Sequence, residues 1–249
     1  MEKEILEIAA LVDRLRREDT NFRVFGADSH KYQIGPTLSE TEIREFEQKH
    51  EIVLPEDYRL WLHLVGDGSG HTGSYPIAGV GPGHGIFHLC DTVDECCPMR
   101  FFEPFLSPRP DLGPDVNVLQ VEYDENACLG GVLNLGTMGC AHKTYLVVNG
   151  NERGIWNYIG DNTVCATSLA FSEWVRNWAE CALPLVIRER VIEKVEMGMT
   201  KTQVIEICSE DWEEERWTTQ YRHLRFKNLV TQFEIDENDK IVRIIKHSV

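Results

Sequence analysis

The 249-residue chain has no apolar run near the roughly 18 residues that a membrane-spanning helix requires, so no such helix is expected. It is also short of positive charge. Lys and Arg number 25 against 41 Asp and Glu, a net charge of −16. A protein that grips phosphates needs a basic face, as does one that docks on anionic lipid, so neither nucleic acid nor a membrane is expected as a partner. No C-x-x-C pair occurs among the eight cysteines (Cys90, Cys96, Cys97, Cys128, Cys140, Cys165, Cys181 and Cys208). Zinc ribbons, fingers and disulfide frameworks rest on regular spacings, so no metal and no cofactor is expected, and the thiols are expected to be reduced. The nucleophile elbow G-x-S-x-G is missing, as are internal repeats and low-complexity segments. The opening residues place acids before a short apolar stretch, the reverse of a secretion signal, so a cytoplasmic location is expected.

The acid excess is uneven. Residues 34–180 hold 8 basic and 21 acidic residues, net −13, whereas residues 1–33 carry −1 and residues 190–249 carry −2. Electrostatic attraction of a partner is therefore expected in the middle of the chain.

Local patterns mark the elements. Residues 2–18 read as an amphipathic helix, and Ser39 with Glu42 three positions on is a capping box for a helix to about His50. Pro55, with Glu56 and Asp57, opens a second helix as its first residue, with Tyr58, Trp61, Leu62 and Val65 as its apolar stripe and Gly66 as its stop. Residues 66–117 hold most of the prolines and many glycines, with one short strand expected at Gly85–Leu89. Strands are expected at Val118–Glu122, Gly131–Leu135, Lys143–Val148 and Gly154–Ile159, the last two joined by an Asn149-Gly150 hairpin turn. Phe171–Leu183 is expected as a helix, kinked or cut by Pro184 from a second run to Met197 that Gly198 ends. Thr200 and Gln203 then cap a short helix to about Cys208, followed by strands at Arg216–Phe226, Leu229–Ile235 and Lys240–His247.

Candidate chemistry is sparse. Gly79–Gly85 (GVGPGHG) lacks the lysine and the following helix of a phosphate loop and reads as a flexible turn. His84, His88, Cys90, Cys96 and Cys97 have the elements for zinc without its spacing. Asp67, Ser69 and His71 lie close in sequence, whereas catalytic triads are assembled across a fold, so this stretch reads as a helix-ending loop. Glu213, Glu214 and Glu215 read as a solvated run. Trp61, Trp174 and Trp178 are expected in the core. Trp212 and Trp217, which flank the acidic run, are packing anchors of the tail or exposed anchors for a partner. No constellation of nucleophile, base and orienting group emerges, so no enzyme is expected and no catalytic residue is assigned.

The stretches Leu38–Phe46 and Leu54-Pro55-Glu56-Asp57-Tyr58-Arg59-Leu60-Trp61-Leu62 resemble the opening of the SUKH superfamily, which includes fungal cell-wall-assembly regulators and bacterial immunity proteins. Similar features follow in order: Gly131–Gly139, Tyr145–Gly150, Gly154-Ile155-Trp156, and Ser172-Glu173-Trp174-Val175. Asn149 stands where many members carry an aspartate, and Gly139-Cys140-Ala141-His142 replaces the usual glycine-rich turn. Gly198-Met199-Thr200, with Val204, is similar to the small helix-plus-sheet domain of outer-membrane assembly lipoproteins, which implies only a fold.

The resemblance implies an α+β fold: a mixed, mainly antiparallel sheet packed with helices, plus a small α-βββ C-terminal unit. The implied segments are an N-terminal helix and linker (1–35), a SUKH-like domain (36–197) and a small domain (198–249), with residues 1–196 expected to fold without the tail. It further implies an immunity protein that neutralises a cognate toxin domain, a basic nuclease or deaminase, by stoichiometric binding. A regulatory scaffold without a toxin is the alternative. From charge and loop position, the expected contact residues are Asp67, Asp91, Asp94, Glu95, Asp111, Asp115, Asp124 and Glu125, with Trp212 or Trp217 as an anchor.

Overall fold

A computed structural model describes residues 1–68, 71–72, 75–76, 79–93, 118–120, 130–140, 142–150, 153–159, 163–208, 212–216, 222–226, 229 and 231–247. The fold is α+β. The chain forms two compact units, Met1–Asp13 with Gly26–Trp178, and Arg14–Phe25 with Ala179–Val249. This differs from the expected borders after residues 35 and 197. The division falls inside two helices, α1 (Glu2–Glu18) and α5 (Phe171–Glu189), which no composition shift marks.

In the first unit, α1 buries Ile5, Ile8 and Val12 at the spacing of one helix face. A four-residue turn α2 (Ala27–His30) precedes α3 (Glu40–His50) and α4 (Glu56–Leu64). The capping box of α3 forms in full. The Ser39 N–H donates to Glu42 Oε2 at 2.7 Å, and the Glu42 N–H donates to Ser39 Oγ at 3.2 Å. Pro55 stands one residue earlier than expected, as the N-cap of α4 rather than its first residue. Tyr58 and Trp61 pack on Phe171, with ring centroids at 4.8 and 5.8 Å.

Two short strands, β1 (His71–Thr72) and β2 (Tyr75–Pro76), pair with each other. The main sheet comprises β3 (Val118–Gln120), β4 (Val132–Gly139), β5 (His142–Val147), β6 (Gly154–Ile159) and β7 (Thr163–Ala166), ordered β3-β7-β6-β5-β4. Every described pair is antiparallel. Pairing of β5 with β6 ends at Val147↔Gly154, so their connection is longer than the two-residue turn expected from Asn149-Gly150.

Gly85–Leu89 is not a strand. Ile86 makes single bridges to Gly79 and Gly136, and Leu89–Thr92 is a 3-10 turn. Nor is the glycine-rich stretch a loose surface turn, because Gly79–Gly83 are buried. Gly26 has φ +79°, and a Cβ there would lie 1.8 Å from Gly83 O; one on Gly136 would lie 2.2 Å from Gly85 O. The glycines are required by close approach of backbones.

Pro184 neither ends nor splits α5. Its side chain is exposed while Ala182, Leu183 and Val186 are buried, so the packed side holds the helix together across the proline.

The second unit contains the end of α5, a 3-10 segment (Arg190–Lys194), α6 (Lys201–Cys208) and four strands: β8 (Trp212–Arg216), β9 (Arg222–Phe226), β10 (Gln232–Ile235) and β11 (Ile241–Ile245). Their order is β11-β10-β9-β8, so the tail is α-ββββ and not the expected α-βββ. Of the stretch read as one strand from Arg216 to Phe226, Arg216 ends β8, which carries the acidic run, and Arg222–Phe226 is β9. Ile192, Val195, Val204, Leu224, Phe226, Phe233, Ile235 and Ile241 make one apolar cluster.

A buried polar knot serves the same unit. Arg23 Nη1 lies 2.8 Å from Glu189 Oε2, and the Glu189 side chain is 2% exposed. Thr231 donates its Oγ1–H to Glu189 Oε2 at 2.9 Å and its N–H to Oε1 at 3.2 Å. Arg23 Nη2 also donates to Thr231 Oγ1. Asp19 accepts the Arg23 and Val24 N–H groups.

Candidate partner-binding surface

Of the acids expected at the surface, Asp67 is in the interior, 4% exposed. It lies just past α4, where the chain turns after Gly66. Its Oδ1 accepts the N–H groups of Gly68 and Leu89, both at 2.8 Å, and His88 Nε2 faces Oδ2 at 3.0 Å. Asp67 therefore clips the end of α4 to the 3-10 turn and is not available to a partner. This corrects the expectation drawn from charge and loop position.

His88 completes the clip. Its Nδ1 accepts the Cys90 N–H at 3.3 Å, capping the turn. Burial pushes the Asp67 carboxyl above its ordinary value and Asp91 adds to this, while His88 and the two amides pull it back. Burial, reinforced by Asp67, also holds the Tyr58 phenol well above its usual range. The Cys90 thiol is raised by burial and by Asp67 and Asp91, the reverse of what an activated nucleophile requires.

Asp91 is half-buried in the same turn, its N–H donating to His88 O. Asp94, Glu95, Asp111, Asp115, Asp124 and Glu125 lie outside the described residues, as do Cys96, Cys97, Ser69 and Trp217. His84 Nδ1 lies 3.2 Å from Ser29 Oγ. Among the described residues, no three His, Cys, Asp or Glu side chains gather as a metal site would require, and Cys90, Cys140, Cys181 and Cys208 form no disulfide. Among the described residues, no helix is long and apolar enough to cross a membrane.

Trp61 and Trp174 are buried and Trp178 is half-buried, its ring near those of His30 and Tyr32. In the second unit Trp212 is 40% exposed, with Lys201 Nζ 4.3 Å from its ring centroid. Glu214 is not freely solvated. It pairs with Lys201 and with Arg222 Nη1 (2.9 Å), and these contacts, Lys201 first, hold its carboxyl below the usual range. Arg222 in turn reaches Asp239 and the carbonyl of Asp236. Trp212 and β8 therefore present a mixed-charge patch in place of a simple acidic one. Local spacing could not reveal this, because Lys201 and Arg222 reach Glu214 from separate elements.

Comparison with protein-family models, with curated proteins and with solved structures finds no match in any of the three.

Proposed function

We propose that this chain is a SUKH-type immunity protein, which binds and neutralises a cognate toxin domain in the cytoplasm by stoichiometric contact and without catalysis. The observation that carries the reading is the concentration of −13 of the −16 charges within residues 34–180, which also contain the ordered series of SUKH-like motifs. A nuclease or deaminase toxin presents a basic groove for nucleic acid, and an acidic surface substitutes for the phosphates in that groove. The half-buried Asp91 and the acids Asp94, Glu95, Asp111, Asp115, Asp124 and Glu125 are the proposed contacts. Trp212 is a secondary anchor, since Lys201 already occupies part of its surroundings.

The test is affinity purification from the native host, identification of the co-purifying chain, and stopped-flow association at rising salt. A basic partner, 1:1 binding and an association rate that falls with salt support the proposal. Asp94→Lys with Glu95→Lys should slow association; Glu213→Lys, which spares the paired Glu214, tests the second unit. Salt-independent association unchanged by either variant refutes electrostatic mimicry. A co-purifying chain without toxin activity points to a regulatory scaffold instead.

A further inference from the structure

A trough of about 520 Å³ lies in the first unit, between the C-terminal end of α3 and the connection from β5 to β6. That volume falls in the range of sites that hold ligands or peptide side chains. Its apolar part is Ile52 and Val148, both buried, and Val53, 70% exposed, a high exposure for an aliphatic side chain beside a concavity. Arg44 and Arg153 bring guanidinium groups to it, and the amides of Gln48 and Asn149 also line it.

The charges favour an acidic occupant. Arg153 Nη1 donates to Val148 O at 2.7 Å, which orients the group, and among the described residues no carboxylate pairs with it. Arg44 contacts Glu40 through Nε at 3.3 Å, and Glu40 is already shared with Arg59, so the Nη pair of Arg44 remains for another acceptor. Two acids also line the trough. Glu47 is spent on Arg59 and the Leu54 N–H, whereas exposed Glu51 is the opposing charge. The negative end of α3 is partly offset, because the N–H groups of Glu51 and Ile52 take up the Glu47 and Gln48 carbonyls.

We infer that this trough binds an extended peptide segment of a protein partner, with an Asp or Glu side chain between Arg44 and Arg153 and a neighbouring aliphatic side chain on Val53. Guanidinium forks match carboxylates in two-point geometry, and the amide of Gln48 suits the main chain of an extended strand. The inference rests on the trough alone and not on the toxin reading, and the test below does not use neutralisation as a readout.

Phage-displayed random decapeptides are panned on the full chain, and enriched peptides are measured by fluorescence anisotropy. The expected result is enrichment of sequences with an acid within two positions of Val, Leu or Ile. Their affinity should fall at least about tenfold in Arg44→Glu/Arg153→Glu, a change on the scale of losing one charge-assisted contact. Val53→Asp, at an exposed position that the fold does not depend on, should weaken binding similarly while circular dichroism stays unchanged. No enrichment, enrichment of basic or purely aromatic sequences, or affinity unaltered by both variants overturns the inference.

Discussion

Asp57, the second residue of α4, accepts the backbone N–H of Ser172, the second residue of α5, at 2.8 Å through Oδ2. Asp57 is buried, and its Oδ1 accepts the N–H of Tyr58. The residue before α5 is Ala170, which has no side-chain acceptor, so the cap of α5 is supplied from another helix. Glu173 returns a bond to the Ala170 N–H. The Leu54–Tyr58 and Ser172–Val175 stretches, far apart in sequence, are thus two halves of one helix-capping arrangement.

Replacing Asp57 with Ala leaves a buried helical N–H without its partner and removes an acid from the start of α4. The expected loss is about 2 kcal/mol, from capping and unsatisfied-donor costs together. Asp57→Asn, which keeps an acceptor, should lose about half of that. Urea denaturation followed by tryptophan fluorescence measures both.

Asp67 predicts a pH dependence of known sign. Folding raises its pKa above the ordinary 3.8, so the folded chain holds this proton more tightly than the unfolded one. Its contribution is then full below the unfolded value and is lost as pH rises through the folded value. Asp67→Asn cannot titrate. The stability of the wild type relative to Asp67→Asn should therefore increase between about pH 7 and about pH 4. A constant difference across that window would contradict the buried clip.

In the second unit, removing Arg23 strands the Glu189 carboxylate, 2% exposed, without its cation. Arg23→Met should cost about 3 kcal/mol, and Arg23→Met/Glu189→Met should recover most of it, because a buried pair is worth far less than the penalty of breaking it. Chemical denaturation of the single and double variants tests this as a mutant cycle.

A chain cut after Met197 should not keep both units folded, contrary to the expectation that residues 1–196 fold without the tail. Ile192 and Val195 belong to the cluster made with Val204, Leu224 and Phe233, so the cut removes most of the core around them. The expected outcome is dye binding to exposed apolar surface and loss of the transition that reports the second unit. Two undisturbed transitions would refute the placement of residues 179–197 in that unit.

Short-range chemistry was the legible part. The capping pairs at Ser39 and Thr200 are both made, the latter through Thr200 N to Gln203 Oε1 at 2.9 Å, because three-residue spacing fixes the partners. The ends of α6 near Cys208 and of β6 at Gly154 and Ile159 also follow from local pattern. Long-range use of a side chain was not legible. Charge counting treats Asp67 and Asp91 alike, yet one is enclosed by Gly68, His88 and Leu89. Pro184 reads as a helix breaker until its exposure on α5 is known. Arg44, Val53 and Arg153 carry no shared motif, and only the fold brings them to one trough.

The contact between Gly26 and Gly83 has a genetic consequence. Most single-base changes in a glycine codon insert a residue with a Cβ, and at Gly26 that atom would lie 1.8 Å from the carbonyl oxygen of Gly83. At Gly83 the added atom would meet Met138 Sδ at 2.4 Å, and both sites have positive φ. Alanine, the smallest replacement, is therefore already too large at Gly26, and no second change of side chain can restore the space, because the obstacle is backbone. Lineages descended from this sequence should keep both glycines while exposed positions elsewhere vary.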